Sequence, residues 1–279
     1  MKTETPKAPE TPKKATPKVG STVFYFDGVM PLDIKKRDLD KALEKISLEA
    51  KEPQTIILDL GAATGDIIKP WLKDFRETLV EFGVLTTLLN PIKMKRSTVV
   101  NLQDWVTAIR PLVDSCGVVL NEVEGDDFHF FKSIEGTFNH FKIKLEKRSD
   151  DIESRLEAKH LSYLTALRLW DSYKKAVREG SVDKEAKERL GDLCNIPIMA
   201  RVKAIHGHIQ EEFDRNSDHF MPVLATDGKP FQHRMVIVAA GSGGVGKSTI
   251  SRALIDYYHS LGLTPIIFDG ETESKGESK

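Results

Sequence analysis

Gly241, Gly246, Lys247 and Ser248 stand at the spacing G-x-x-x-x-G-K-[ST], inside the run Gly-Ser-Gly-Gly-Val-Gly-Lys-Ser-Thr. That spacing makes a phosphate-binding loop. Glycines let backbone N–H groups curl inward and come close to phosphate oxygens. Lys247 would place a point charge at the β- and γ-phosphates of a nucleotide, and Ser248 would offer a hydroxyl to Mg²⁺. A helix opening at Lys247 would aim its positive end at the same anion. The candidate nucleotide-binding set is therefore Gly241, Ser242, Gly243, Gly244, Val245, Gly246, Lys247, Ser248 and Thr249. A glycine-rich strand-to-helix turn that binds nothing is the plainer alternative.

The flanking residues argue for the loop. Residues 235–240 are an apolar, β-branched run that reads as a buried strand, and 247–259 read as the helix. Gly262 stops that helix, and 264–269 form a second apolar strand ending at Asp269. A third apolar strand, 54–60, carries Asp59 and runs into Gly61-Ala-Ala-Thr-Gly65. A parallel sheet would bring Asp59 to its carboxyl edge beside the loop, where it could hold the water shell of Mg²⁺. Alone this is a weak signal, since many buried strands end in Asp. Asn121 closes the apolar run 117–120. Its amide could face a purine edge or simply support a turn.

Around these residues the chain alternates short apolar strands with longer helices. Helix 36–50 carries Leu39, Leu43 and Ile46 on one face. Helix 66–82, strand 84–89, helix 97–113 and strand 117–120 follow. With the glycine loop, the alternation predicts an α/β fold of the P-loop NTPase type, with a mostly parallel sheet covered by helices on both faces. Residues 23–26 are a short strand candidate, 128–131 should pack back on the sheet, and 142–145 read as an edge strand. The acidic stretch 122–127 is a solvated loop or, more sharply, a metal or partner site. From residue 150 the chain becomes helical. Ile152, Leu156, Leu164 and Leu167 make one stripe with Trp170 beyond it; 184–194 and 198–214 are further helices, the last aligning Val202, Ile205, Ile209 and Phe213. These stripes are core contacts or, more sharply, a partner or dimer groove. His206 and His208 do not share a helical face, which argues against joint metal ligation.

Composition bounds the function. The 279 residues allow one large α/β domain or two small ones. A formal net charge of −1 gives no bulk attraction to nucleic acid or anionic membrane, so direct DNA binding is not evident. The two cysteines, Cys116 and Cys194, are isolated, which suits a reducing, cytoplasmic setting. No apolar run has the length to span a bilayer, and residues 1–20 lack the apolar region of a secretory signal. The expected organisation is a disordered, mildly basic tail over 1–20 and one domain over 21–279. That domain divides into a sheet core (21–148), a helical region (149–216), a loop (217–234) and a phosphate-loop unit (235–270), with a flexible tail at 271–279.

The order is unusual. The phosphate-loop strand of such a domain ordinarily comes first, and here it comes near the end of the chain. Joining Lys279 to Met1 restores the order: loop strand, helix, strand 264–269, a linker, helix 36–50, then strand 54–60 with Asp59. The sequence thus reads as a circular permutant with its termini in a surface connection, and Met221 or Met235 would mark the unpermuted start.

With these motifs in place, the chain resembles ParA/MinD-type ATPases of the SIMIBI class. The loop is similar to their variant phosphate loop, and Leu-Asp-Leu-Gly-Ala-Ala-Thr-Gly (58–65) to their second-switch strand. Val-Leu-Asn121, Gly-Asp-Asp-Phe128 and the helical part are similar to the TraL/MobD-like subgroup carried on conjugative and mobilisable plasmids. The resemblance implies ATP and Mg²⁺ as ligands, with Lys247, Ser248 and Thr249 on phosphate and metal. It also implies Asp269 near the attacking water, Asp59 on the metal side with Ser248, and Asn121 near the base. A homodimer and a plasmid transfer or partition partner are implied as well. One position departs: where the family carries a lysine after the first loop glycine, this chain has Ser242. That lysine is a charge clamp across a dimer, so its absence bears on dimer-driven hydrolysis rather than on nucleotide binding.

Three functions follow as expectations. The first is a Mg²⁺-dependent ATPase acting as a nucleotide switch in plasmid maintenance or transfer. The second is a small-molecule kinase on the same scaffold, which would need a basic lid that the sequence does not show. The third is a non-hydrolysing nucleotide-binding scaffold that docks partners on its helical region.

Overall fold

The computed structural model describes residues 26, 28–31, 38–61, 64–122, 125–145, 150–226, 228–241 and 243–270. The tails 1–20 and 271–279, most of the strand candidate 23–26, and Ser242 lie outside them. Seven strands form one sheet, β1 (Met30–Pro31), β2 (Thr55–Asp59), β3 (Val84–Ile92), β4 (Ser115–Asn121), β5 (Phe141–Leu145), β6 (His233–Val238) and β7 (Ile266–Asp269). Their spatial order is β1-β7-β2-β6-β3-β4-β5. Every neighbouring pair runs parallel. The chain is thus an α/β protein with a parallel sheet, as the alternation of elements predicts.

Strands β2 and β6 are buried at every residue. A strand covered on both faces needs an unbroken apolar run, and Ile-Ile-Leu (56–58) and Met-Val-Ile-Val (235–238) supply it. Side chains alternate between two cores. Ile56, Leu58, Leu88, Val118, Met235 and Ile237 face one of them. That core is completed by α1 (Asp38–Glu49), α2 (Gly65–Glu81), α3 (Arg96–Ile109) and the short α4 (His129–Lys132). Ile57, Leu89, Val119, Val236, Val238 and Ile267 face the other. There they meet α9 (Lys247–Ser260), overlaid by α5 (Asp150–Ala158), α6 (Tyr163–Arg178), α7 (Lys184–Leu190) and α8 (Ile196–Asp214). Helices therefore cover both faces, and the helical region is an extra layer over α9. Phe128 and Phe131 pack in the first core as expected.

Several boundaries differ from the sequence reading. Strand β3 runs through Asn90-Pro91 to Ile92 rather than stopping at Leu89. Strand β6 pairs β3 only as far as Leu89, so the last residues have β4 alone as neighbour. A proline without an N–H is tolerated on such a one-sided stretch. The stripe 152–170 is not one helix. It breaks at His160, whose φ is 51°. Ser162 then caps α6, its hydroxyl accepting the Thr165 N–H at 3.2 Å. The edge pairing of Met30 with Phe268 has no sequence signal, since β1 is only two residues long. The segment 217–234 is more than a loop: Val223 and Gln232 bridge antiparallel across Thr226–Lys229, and His233-Arg234 already belong to β6.

Candidate functional site: a glycine cradle at the carboxyl edge

The glycine-rich loop leaves the end of β6, the middle strand of the sheet, and enters α9 at Lys247. Gly244 has φ +70° and Gly246 +99°, in the region that favours glycine. That backbone lets the chain turn from the end of β6 into α9 within the loop. Gly246 is the N-cap and, as a glycine, brings no side chain of its own to cap the helix. Gly243 and Gly244 are exposed while Val245 and Lys247 are buried, Lys247 at 4 % exposure. An ammonium drawn this far below the surface acts in a medium of low dielectric, where its field on an anion is strong.

Two acids complete the edge. Asp59 and Asp269 are the last residues of β2 and β7 and are Cα partners in register. Asp59 also pairs with Val238, the end of β6. Both carboxylates are fully buried. Each stands two residues beyond an isoleucine of the α9-side core, Ile57 and Ile267, so strand alternation turns both toward α9. Just past β7, the Gly270 N–H donates to the Asp59 carbonyl at 2.8 Å. A positive helix terminus with a buried lysine thus stands on the same face and at the same edge as two carboxylates. Segments from both halves of the chain meet here, since β2 comes from the first quarter and β6, α9 and β7 from the last.

Asn121 also reaches the loop. Its Nδ2 donates to the Val245 carbonyl at 2.9 Å, and the residue is 2 % exposed. A methyl carbon at Gly246 would lie 2.4 Å from that Nδ2. The amide helps to hold the loop in shape, as the turn-supporting reading of this residue expects. The other loop glycine with a tight neighbour is Gly241, where a methyl carbon would lie 2.9 Å from Asn101 Cγ on α3. Beside it a recess of about 190 Å³ is lined by Gly65, Asp66, Lys69, Asn101 and Trp105. Lys69 Nζ lies 5.0 Å from the Trp105 ring centroid there.

Thr249 faces the helical layer. Arg252 Nη2 donates to the Thr249 hydroxyl at 3.3 Å and to Glu157 of α5 at 2.8 Å, and Arg252 Nε donates to the Ser248 carbonyl at 3.1 Å. One turn on, Asp256 is 2 % exposed and accepts the Leu164 N–H of α6 at 3.0 Å. Burial, opposed by that N–H and by Ser162, Arg168 and Arg252, pushes its carboxyl up to about 6. Arg252 and Asp256 do not stand out in the sequence, because charged residues on a helix ordinarily mark a wet face. The available signal was the spacing of Arg252 three residues after Thr249. His206 is buried, and desolvation lowers its pKa.

Among the described residues no group of three or more His, Cys, Asp or Glu side chains gathers at a metal-sized site. No described helix is long and apolar enough to cross a membrane. Comparison with models of known protein families, with curated proteins and with solved structures finds no match to this chain.

Proposed function

We propose that the chain binds ATP with Mg²⁺ at the glycine cradle and acts as a nucleotide-dependent switch of the ParA/MinD type, in circularly permuted order. The observation that carries this reading is the loop at the carboxyl end of the central strand. It runs through a glycine N-cap into a helix headed by buried Lys247, with Asp59 and Asp269 in register beside it. Ligands of parallel α/β sheets sit at that edge, outside the strand ends. Inward-facing amides and the helix terminus would take the phosphates, and Lys247 would neutralise their outer oxygens. The Ser248 hydroxyl and the Asp59 carboxylate are hard oxygen donors of the kind Mg²⁺ prefers. A nucleotide-borne Mg²⁺ needs only one or two carboxylates from protein. The ion would neutralise charge developing on the transferred phosphoryl group. Asp269 would orient a water for attack. Its burial keeps bulk solvent away from the carboxylate.

The test is calorimetric titration with Mg-ATP and Mg-GTP. The wild type should bind one nucleotide per chain, and Lys247→Ala should bind at least about tenfold more weakly. Asp59→Asn should reduce the Mg²⁺ dependence of binding more than the affinity for nucleotide alone. Equal affinity in the wild type and Lys247→Ala would remove the site assignment. Ser242 favours a second reading, a nucleotide-binding scaffold without turnover. Phosphate release well above background would exclude it. Cytoplasmic location and a role in plasmid maintenance or transfer belong to the same proposal, supported by the resemblance of the motifs.

A further inference from the structure

On the face of the helical layer turned away from α9, α6 and α8 bound an open apolar groove of about 650 Å³. Its walls follow helical spacing: Leu167, Trp170, Lys174 and Val177 on α6, then Ile196, Met199, Ala200 and Lys203 on α8. Ile196 is 73 % exposed and Val177 49 %. The Trp170 and Tyr173 rings are stacked, their centroids 5.7 Å apart. Apolar side chains exposed together along one line are uncommon on a protein that acts alone.

The rim is cationic. Lys174, Arg178 and Lys203 border the groove, with Asp171 as the opposing charge, already paired to Lys174 at 2.8 Å. That sign decides among occupants. A second copy would set one basic rim against another. The chain's own first twenty residues carry five lysines against two glutamates and no apolar run, so they match neither the charge nor the walls. The last nine residues contain no apolar side chain to fill the floor.

We propose that the groove between α6 and α8 docks an acidic amphipathic helix of a partner protein. Its apolar stripe would lie along Leu167, Trp170, Val177 and Ile196, and its flanking carboxylates would meet Lys174, Arg178 and Lys203. Helix-in-groove recognition reads anchors at i, i+3, i+4 and i+7, the periodicity these walls present. The charges set orientation and association rate, while the buried aromatic and aliphatic anchors hold the complex. The proposal is independent of nucleotide binding.

The probe is a fluorescein-labelled helical peptide of about 18 residues built from leucine, alanine and glutamate, with leucines on one stripe. Controls are a scrambled peptide of the same composition and a version with lysine for glutamate. Anisotropy should show saturable binding of the acidic helix alone, accompanied by a change in Trp170 emission that Trp71→Phe/Trp105→Phe leaves in place. Lys174→Glu/Arg178→Glu/Lys203→Glu should weaken it about tenfold and admit the lysine version. Val177→Asp/Ile196→Asp changes two exposed positions, so the fold should persist by circular dichroism while binding drops about tenfold. Equal binding of the acidic and scrambled peptides would overturn the proposal, as would an affinity unmoved by both sets of substitutions. A dimer in sedimentation equilibrium that Val177→Asp/Ile196→Asp dissolves would overturn it in favour of a second copy.

Discussion

Replacing Gly246 by alanine tests whether the cradle is held as its geometry requires. At φ +99° an L-residue with a Cβ is strained by about 1–2 kcal/mol. The new methyl would also stand 2.4 Å from Asn121 Nδ2, expelling an amide that now donates to the Val245 carbonyl at 2.9 Å. Losing that hydrogen bond costs about 0.5–1.5 kcal/mol. Gly246→Ala should therefore destabilise the chain by about 1.5–3.5 kcal/mol. Asn121→Ala alone leaves the buried Val245 carbonyl without this donor, at about 1–3 kcal/mol. The two costs overlap. Once Asn121 is alanine there is no amide to expel, so the double variant should fall short of the sum by about 1 kcal/mol. Urea unfolding followed by circular dichroism on the four proteins measures this cycle. Mg-ATP titration on the same set should show Gly246→Ala weakening binding about tenfold or more, because the amides it displaces are those proposed to face the phosphates. Strict additivity in unfolding would refute the argument that residue 121 and the loop form one unit.

Other outcomes follow from particular contacts. The Asp256 carboxyl sits near 6 in the fold, above the ordinary carboxylate value, so the folded chain holds a proton that the unfolded chain releases. Its contribution to stability should fall by about 3 kcal/mol as pH rises from about 4 to 6 and stay flat above that. The stability difference between the wild type and Asp256→Asn, taken from urea unfolding at each pH, should show that step; a difference constant with pH would refute it. Gly117→Ala would push a methyl to 2.4 Å from Phe141 Cζ and 2.7 Å from Leu89 Cδ2, so it should cost about 1–3 kcal/mol in the same assay. Burial pushes the Cys116 thiol up to about 11, whereas Cys194 is half-buried. A thiol reagent should therefore label Cys194 first and reach Cys116 only on unfolding.

The division between sequence and fold is clear at the site itself. The phosphate-loop spacing from Gly241 to Ser248, the apolar runs of β2 and β6 and the acidic ends Asp59 and Asp269 were legible in the residues. Local periodicity and turn chemistry specify such elements without help from distant chain. The two acidic ends stand side by side because β2 and β7 pair in parallel, Asp59 with Asp269. Only tertiary structure decided what the remaining polar groups do. The Asn121 amide donates to the Val245 carbonyl, more than a hundred residues away, a partner that no local pattern announces. Arg252 and Asp256 look like a solvated helix face until α5 and α6 cover them and Glu157 and Leu164 become their partners. The two-residue β1 and the break at His160 likewise depend on neighbours that no local pattern announces. A helix or strand is encoded by spacing along the chain. Whether a charged side chain on it meets water or a partner is set by which other elements pack there, and that information is non-local.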